Sequence, residues 1–275
     1  MDRMQAVEEL EIDLLLEGVF QRFGFDFRGY QRGPLRSKVR QLMQSWELKT
    51  VSALQEKVMH DDAASEAFLR ALSVRPAGLF DDPAQCLALR AALGPWLRSC
   101  PSPKVWIAEC GSVEEAGTLA ILLAEENLYS KTRIFATVAN EGLLRDASKG
   151  SFAADRFSQY EENYRCSGGK QTLADYCVED NGRMYFRDGV LSHITWAQYN
   201  LATDASFNEF ELIVCRGALG DFGPALRRRA LQLFHESLPL FGMLSVDEKN
   251  ELEDSTFAGR FKTVCAESGL YRRIA

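Results

Sequence analysis

The sequence predicts a two-part α/β protein, with an N-terminal helical domain over 1–85 and an α/β domain over 86–275 carrying a small antiparallel β insertion at about 160–197. Three observations predict it. Apolar residues recur at spacings of three and four near the start, as in Leu10, Leu14, Leu15, Val19 and Phe20, which is the period of a helix face. From about residue 86, short apolar runs alternate with helical ones, the pattern of strands joined by crossover helices. Between them, Asn181-Gly182 separates two alternating segments and signals a tight hairpin.

The elements follow in order. Phe23, Phe25 and Phe27 flank a break at Gly24, and Gly29, Gly33 and Pro34 punctuate the entry to a helix carrying Arg32, Arg36, Lys38 and Arg40. That helix is basic within an acidic chain; it reads either as a solvated face with paired charges or as a docking surface for an acidic partner. Lys104–Ala108 is the first strand, followed by a helix through Leu119–Ala124. Arg133–Thr137 is the second, followed by a helix near Glu141 to Ser148. Asp175–Val178, Arg183–Phe186 and Ile194–Trp196 are assigned to the inserted antiparallel unit. Phe210–Cys215 leads into a helix from about Pro224 to Leu238, and Phe261–Val264 with Leu270–Ile274 supply the last antiparallel strands.

Composition narrows the function classes. In 275 residues, 46% are hydrophobic and 26% charged, close to globular averages, so disorder as the main state is excluded. The net charge of -7 argues against a broad nucleic-acid or membrane-binding surface. No apolar run approaches the roughly 18 residues of a membrane helix, and the start is acidic where a signal peptide would be basic, so a cytoplasmic protein is expected. Seven scattered cysteines without a CxxC pair read as reduced thiols, and His60, His193 and His235 are too far apart to suggest a metal site with them.

The helical lead-in, strand, acidic loop, β insertion and Cys-Arg strand end together resemble the CheR-type chemoreceptor glutamate methyltransferases. The residues carrying the resemblance are Phe23-Gly24-Phe25-Asp26 with Tyr30, Val105–Ala108, Glu114-Glu115, Leu122–Glu125, Asn200-Leu201, Cys215-Arg216 and Leu270–Arg273. The resemblance implies a Rossmann-like S-adenosylmethionine-methyltransferase domain, with that compound as methyl donor and a receptor glutamate as acceptor. A carboxylate attacking an activated sulfonium needs placement more than acid–base help. Glu114, Glu115, Asn140, Asn200, Leu201 and Arg216 are the cofactor-binding positions if the crevice is functional.

The chain departs from the family pattern where that chemistry is carried. Against the family loop Ala-Gly-Cys-Ser-Thr-Gly-Glu-Glu it reads Ala108-Glu109-Cys110-Gly111-Ser112-Val113-Glu114-Glu115, so both glycines nearest the ligand are replaced. A side chain at either position is expected to fill ligand volume or to force a costly backbone angle. The ribose-holding carboxylate becomes Val138, with Asn140 two residues on as a stand-in. The family's Phe-Phe-Arg run becomes Leu79-Phe80-Asp81, at the end of the stretch beginning Val74-Arg75-Pro76, which inverts the charge at the arginine position. The family's Cys-Arg-Asn appears as Cys215-Arg216-Gly217.

These departures point to a pseudo-methyltransferase that keeps the fold as a protein-interaction or regulatory module in a chemosensory or signalling pathway. It would have no catalytic residue, no metal and no cofactor, and its partner would be a chemoreceptor or another signalling protein. The partner surfaces are Arg32, Arg36, Lys38 and Arg40, and an edge of the insertion around Asp175 to Phe186. The alternative is an active S-adenosylmethionine-dependent protein-glutamate O-methyltransferase with an altered pocket. A third reading gives the crevice a different anionic ligand held by Arg75 or Arg216.

Overall fold

The computed structural model describes residues 3–73, 77–247, 252 and 256–275. The chain separates into two compact units, one of residues 1–74 with 220–227, the other of 75–219 with 228–275.

The first unit is helical, with α1 (Arg3–Phe23), α2 (Arg32–Ser45), α3 (Val51–His60) and α4 (Asp62–Ser73). Ile12, Leu15, Leu16 and Val19 of α1 pack with Leu35, Val39, Leu54, Val58 and Phe68 into its core. Thr50 caps α3 by accepting the Ala53 N–H at 3.1 Å, satisfying one of the donors a helix start leaves open. Residues 220–227 complete this unit. Tyr30 bridges Phe222, and Gly223 donates its N–H to Gly29 O at 2.8 Å. That approach requires glycine at 223, since a Cβ there would stand 2.6 Å from Gly29 O.

The second unit opens with α5 (Pro83–Ser99), which runs through the expected domain boundary at residue 85. Asp82 caps it and Pro83 occupies its first turn, a start signal that the expectation of short strands passed over. Then come β1 (Lys104–Ala108), α6 (Val113–Glu125), β2 (Arg133–Val138), α7 (Glu141–Ser148), β3 (Ser151–Ala153) and α8 (Phe157–Cys166). They are followed by β4 (Cys177–Asp180), β5 (Arg183–Phe186), β6 (Ile194–Gln198), β7 (Leu212–Cys215), α9 (Ala218–Asp221), α10 (Pro224–Ser237), β8 (Met243–Val246), β9 (Phe261–Cys265) and β10 (Leu270–Arg273).

The seven-stranded sheet has the order β6-β2-β1-β7-β8-β10-β9. Its first five strands are parallel and β10 pairs antiparallel with both β8 and β9, as expected for the chain end. Strands β1, β7 and β8 are buried almost throughout, as a sheet covered on both faces requires. Trp106 on β1 is fully buried; its ring lies 5.3 Å from those of Tyr199 and Phe210, and its N–H donates to Thr137 Oγ1 at 2.9 Å.

The insertion differs from expectation. Ile194–Trp196 belongs to β6, the edge strand of the main sheet, paired parallel with β2 from Ile134↔Ile194 to Val138↔Gln198. The half-buried Ile194 and Trp196 pack on the main core, which is what draws the segment there. The small sheet is instead β3-β5-β4, and its third strand, Ser151–Ala153, is too short to show alternation in the sequence. The Asn181-Gly182 signal is realised as a tight turn with φ of 50° and 74°, joining Asp180 directly to Arg183.

Candidate functional site

Strand order reverses direction at β1, with β2 to one side and β7 to the other, which places a crevice outside the carboxyl ends of these strands. The loop from Glu109 to Ser112 connects β1 to α6. Cys110 donates its N–H to Thr137 O at 2.7 Å, fastening the loop to β2. Ser112 then caps α6 by accepting the Glu115 N–H at 3.2 Å and donates its hydroxyl to Ala77 O at 2.7 Å.

Glu109 holds a left-handed backbone with φ of 54°, a conformation that costs a non-glycine residue about 1–2 kcal/mol. Val113 behaves otherwise: it begins α6, is buried, and has no left-handed φ, so the expected backbone penalty falls on Glu109 alone. The displaced Gly111 takes no left-handed φ either. Desolvation of the half-buried Glu109 carboxyl pushes its pKa up to about 8.

Beside the loop lies a cleft lined by Asp81, Gln85, Thr118, Glu115 and Arg216 over an apolar wall that includes Leu119 and Val214. Glu115 is 8% exposed. Its Oε2 accepts the Gly111 N–H at 2.9 Å, while its Oε1 has no partner. Burial raises its pKa to about 7, against the lowering effect of the Gly111 bond and of nearby Arg216. Arg216 is the only cation lining the cleft among the described residues, and it pairs with Asp247 at 3.2 Å and Asp82 at 3.7 Å. Glu114 is also raised, by burial first and then by Asp81, with Arg156 and Arg183 pulling the other way.

The remaining sequence-selected residues are placed as follows. Asn140 caps α7, its Oδ1 accepting the Leu143 N–H at 2.9 Å, and its buried Nδ2 has no partner. Asn200 folds its own loop, with Oδ1 accepting the Ala202 N–H at 2.8 Å. Leu201 is buried. Thus Glu115 and Arg216 meet in one cleft, whereas Asn140 and Asn200 serve as cap and turn. Arg75 lies outside the described residues, as do Val74 and Pro76.

On α2, every selected cation has an acidic partner in its own unit. Arg32 pairs with Asp13, Arg36 with Glu9, Arg40 with Glu8 at 2.7 Å and Lys38 with Asp221 at 2.7 Å. The paired-face reading of that helix describes this arrangement. Sequence reasoning missed Gln85, Thr118 and Asp247, which come to the cleft from elements whose mutual placement no local pattern records.

S-adenosylmethionine, the donor the resemblance implies, meets a split reception. An ammonium group finds an unpartnered acceptor in Glu115 Oε1. On the ribose side, Val138 at the end of β2 offers no acceptor, and Asn140 Oδ1 is committed to its helix.

Comparison with known proteins bears on the same question. The model of the CheR methyltransferase SAM-binding domain matches residues 80–268, and that of the CheR methyltransferase all-alpha domain matches 10–73. A Pseudomonas putida protein described as a candidate methyltransferase, Cher3, is 36% identical over 265 residues, covering 96% of this chain and 97% of its own. A Listeria monocytogenes chemotaxis protein methyltransferase is 22% identical over 250 residues, covering 90% and 92%. Among solved structures, the N-methyltransferase NodS of Bradyrhizobium japonicum with S-adenosyl-L-homocysteine is similar at 13% identity and a TM-score of 0.40, over 81% of this chain and 97% of NodS. With both of its parts matched in order, the chain belongs to the CheR methyltransferase family.

Proposed function

We propose that this family member does not esterify receptor glutamates and acts instead as a cytoplasmic protein-interaction or regulatory module in a chemosensory pathway. The observation that carries the reading is the charge of the cleft. Asp81 stands where the family arginine is expected, and Arg216, the one cation lining the cleft among the described residues, is already engaged by Asp247 and Asp82. An incoming glutamate carboxylate meets like charge at short range in a partly dehydrated site, which opposes its approach. A receptor or another signalling protein is the partner class; the α2 cations enter such a contact only by exchanging their present acidic partners.

The test is methyl-ester formation on a chemoreceptor signalling fragment with S-adenosylmethionine as donor. Base-labile methyl incorporation no greater than in a protein-free control is expected, and sustained turnover overturns the proposal. One observation favours a second reading, an active transferase with an altered pocket: the unpartnered Glu115 Oε1 is suited to the donor's ammonium group. In that case the same assay gives turnover, and Glu115→Gln weakens donor binding.

A further inference from the structure

We propose that the open edge of β9 is a docking strip for an extended acidic segment of a partner protein, which joins the main sheet as a further strand and brings carboxylates to Lys262 and Arg272. The strip uses none of the residues lining the cleft, and it extends the function proposed above rather than resting on it.

Sheet order supplies the strand. β9 is the outermost of the seven strands and pairs with β10 on one side, so one row of its backbone N–H and C=O groups lacks a ladder partner among the described residues. Lys262, Thr263 and Val264 are all exposed along it, Val264 at 41%. An edge of this kind accepts an added strand through main-chain bonds, and alternate side chains of the newcomer set specificity.

Charge supplies the partner's chemistry. Lys262 stands directly opposite Arg272 in the β9–β10 register, a relation in which like charges destabilise a sheet. Neither side chain has a hydrogen bond or ion pair among the described residues, and Arg272 Nε is buried without a partner. Met243, opposite Arg272, and Leu270, two residues before it, belong to the core with Leu89 and Leu93, so the arginine stem runs along the rim of an apolar layer. The adjoining Arg273 is satisfied, donating to His235 O at 2.9 Å and to Leu238 O. A lysine on an edge strand ordinarily guards against pairing, but that purpose needs no second cation one strand inward. Strands lie about 4.8 Å apart, so a glutamate on an added strand is one spacing from Lys262 and two from Arg272, within reach of both long side chains. Val264, two residues beyond Lys262, offers that strand an aliphatic contact.

The experiment is fluorescence anisotropy of the full chain with a labelled peptide, acetyl-Glu-Thr-Val-Thr-Glu-Thr-Val-Thr-amide. Two control peptides replace its glutamates with lysine, or its threonines with proline, which cannot donate to a ladder. The acidic peptide should bind about tenfold or more tighter than either control. Binding undetected up to about millimolar peptide, or equal binding by either control, overturns the strip. Lys262→Glu places a carboxylate opposite Arg272 within the chain itself. It should raise Tm by about 2 °C and weaken the acidic peptide about tenfold. Unweakened binding by Lys262→Glu, or a lowered Tm, overturns the proposal. Hydrogen exchange gives an independent readout: saturating peptide should slow the β9 amides about tenfold, and unchanged β9 exchange also overturns it. The two proposals fail separately, since ester formation on a receptor fragment refutes the proposed function and leaves the strip standing, whereas absent peptide binding refutes the strip alone.

Discussion

Replacing Glu115 with glutamine should abolish a pH dependence of stability that the wild-type chain carries. The carboxyl is 8% exposed, has one bonded oxygen and one unpartnered one, and its pKa is raised from the usual 4.5 to about 7. The folded state thus holds a proton that the unfolded chain has already released, and stability falls as pH rises through that window. Between about pH 5 and about pH 8.5 the two-pKa linkage integrates to a loss of about 2.5 kcal/mol from this one group. Glu109, raised to about 8 by its own burial, adds a loss of the same sign, so the comparison with Glu115→Gln isolates the Glu115 share. Urea unfolding monitored by circular dichroism at the two pH values, with m-values checked for constancy, measures it. Glutamine keeps an oxygen for the Gly111 N–H but has no proton to lose, so its stability difference between the two pH values should be smaller by about 2.5 kcal/mol. An identical pH difference in both proteins would show that Glu115 ionises as freely folded as unfolded, and would refute the reasoning.

Two further predictions concern packing and pairing. Arg90→Ala leaves Glu125, bonded also by Tyr164 and Tyr176, without its guanidinium partner at 2.5 Å, and should cost about 3–5 kcal/mol in chemical unfolding because both side chains of the ion pair are nearly fully buried. Gly117→Ala would set a Cβ 2.1 Å from the Phe186 ring, so it should destabilise by about 1–3 kcal/mol in urea unfolding, with most of the loss recovered when Phe186→Leu is added. A harmless Gly117→Ala would show that the small sheet carrying Phe186 yields to α6.

Much of this architecture was legible because its signals are local. Lys104–Ala108 and Glu141–Ser148 are the observed bounds of β1 and α7, since an apolar run and an Asn140 cap are each written within a few residues. Ile194–Trp196 went to the wrong sheet because a short apolar run does not say which edge it will join, and that choice is made by the packing of Ile194 and Trp196 on the main core. The site was legible in part. The replacement of glycine at 109 pointed to bulk or to a costly backbone angle, and the structure shows the latter, a left-handed φ of 54° at Glu109. The α2 cations show the converse limit: one strand of text displays their charge, while the acids that neutralise them lie on α1 and near residue 221.

The return of residues 220–227 to the helical unit bears on how the chain matures during synthesis. N-terminal domains ordinarily fold first as they leave the ribosome, at about 5–20 residues per second. Here the first 74 residues emerge without Phe222 to bridge Tyr30, without Gly223 to meet Gly29, and without Asp221 to neutralise Lys38. Some 150 further residues must be translated before that closing segment is available, roughly 7–30 seconds at those rates. During that interval the helical unit is an unfinished intermediate, so a nascent chain stalled before residue 220 should be more open to protease within α1–α4 than one stalled after residue 227 has cleared the exit tunnel.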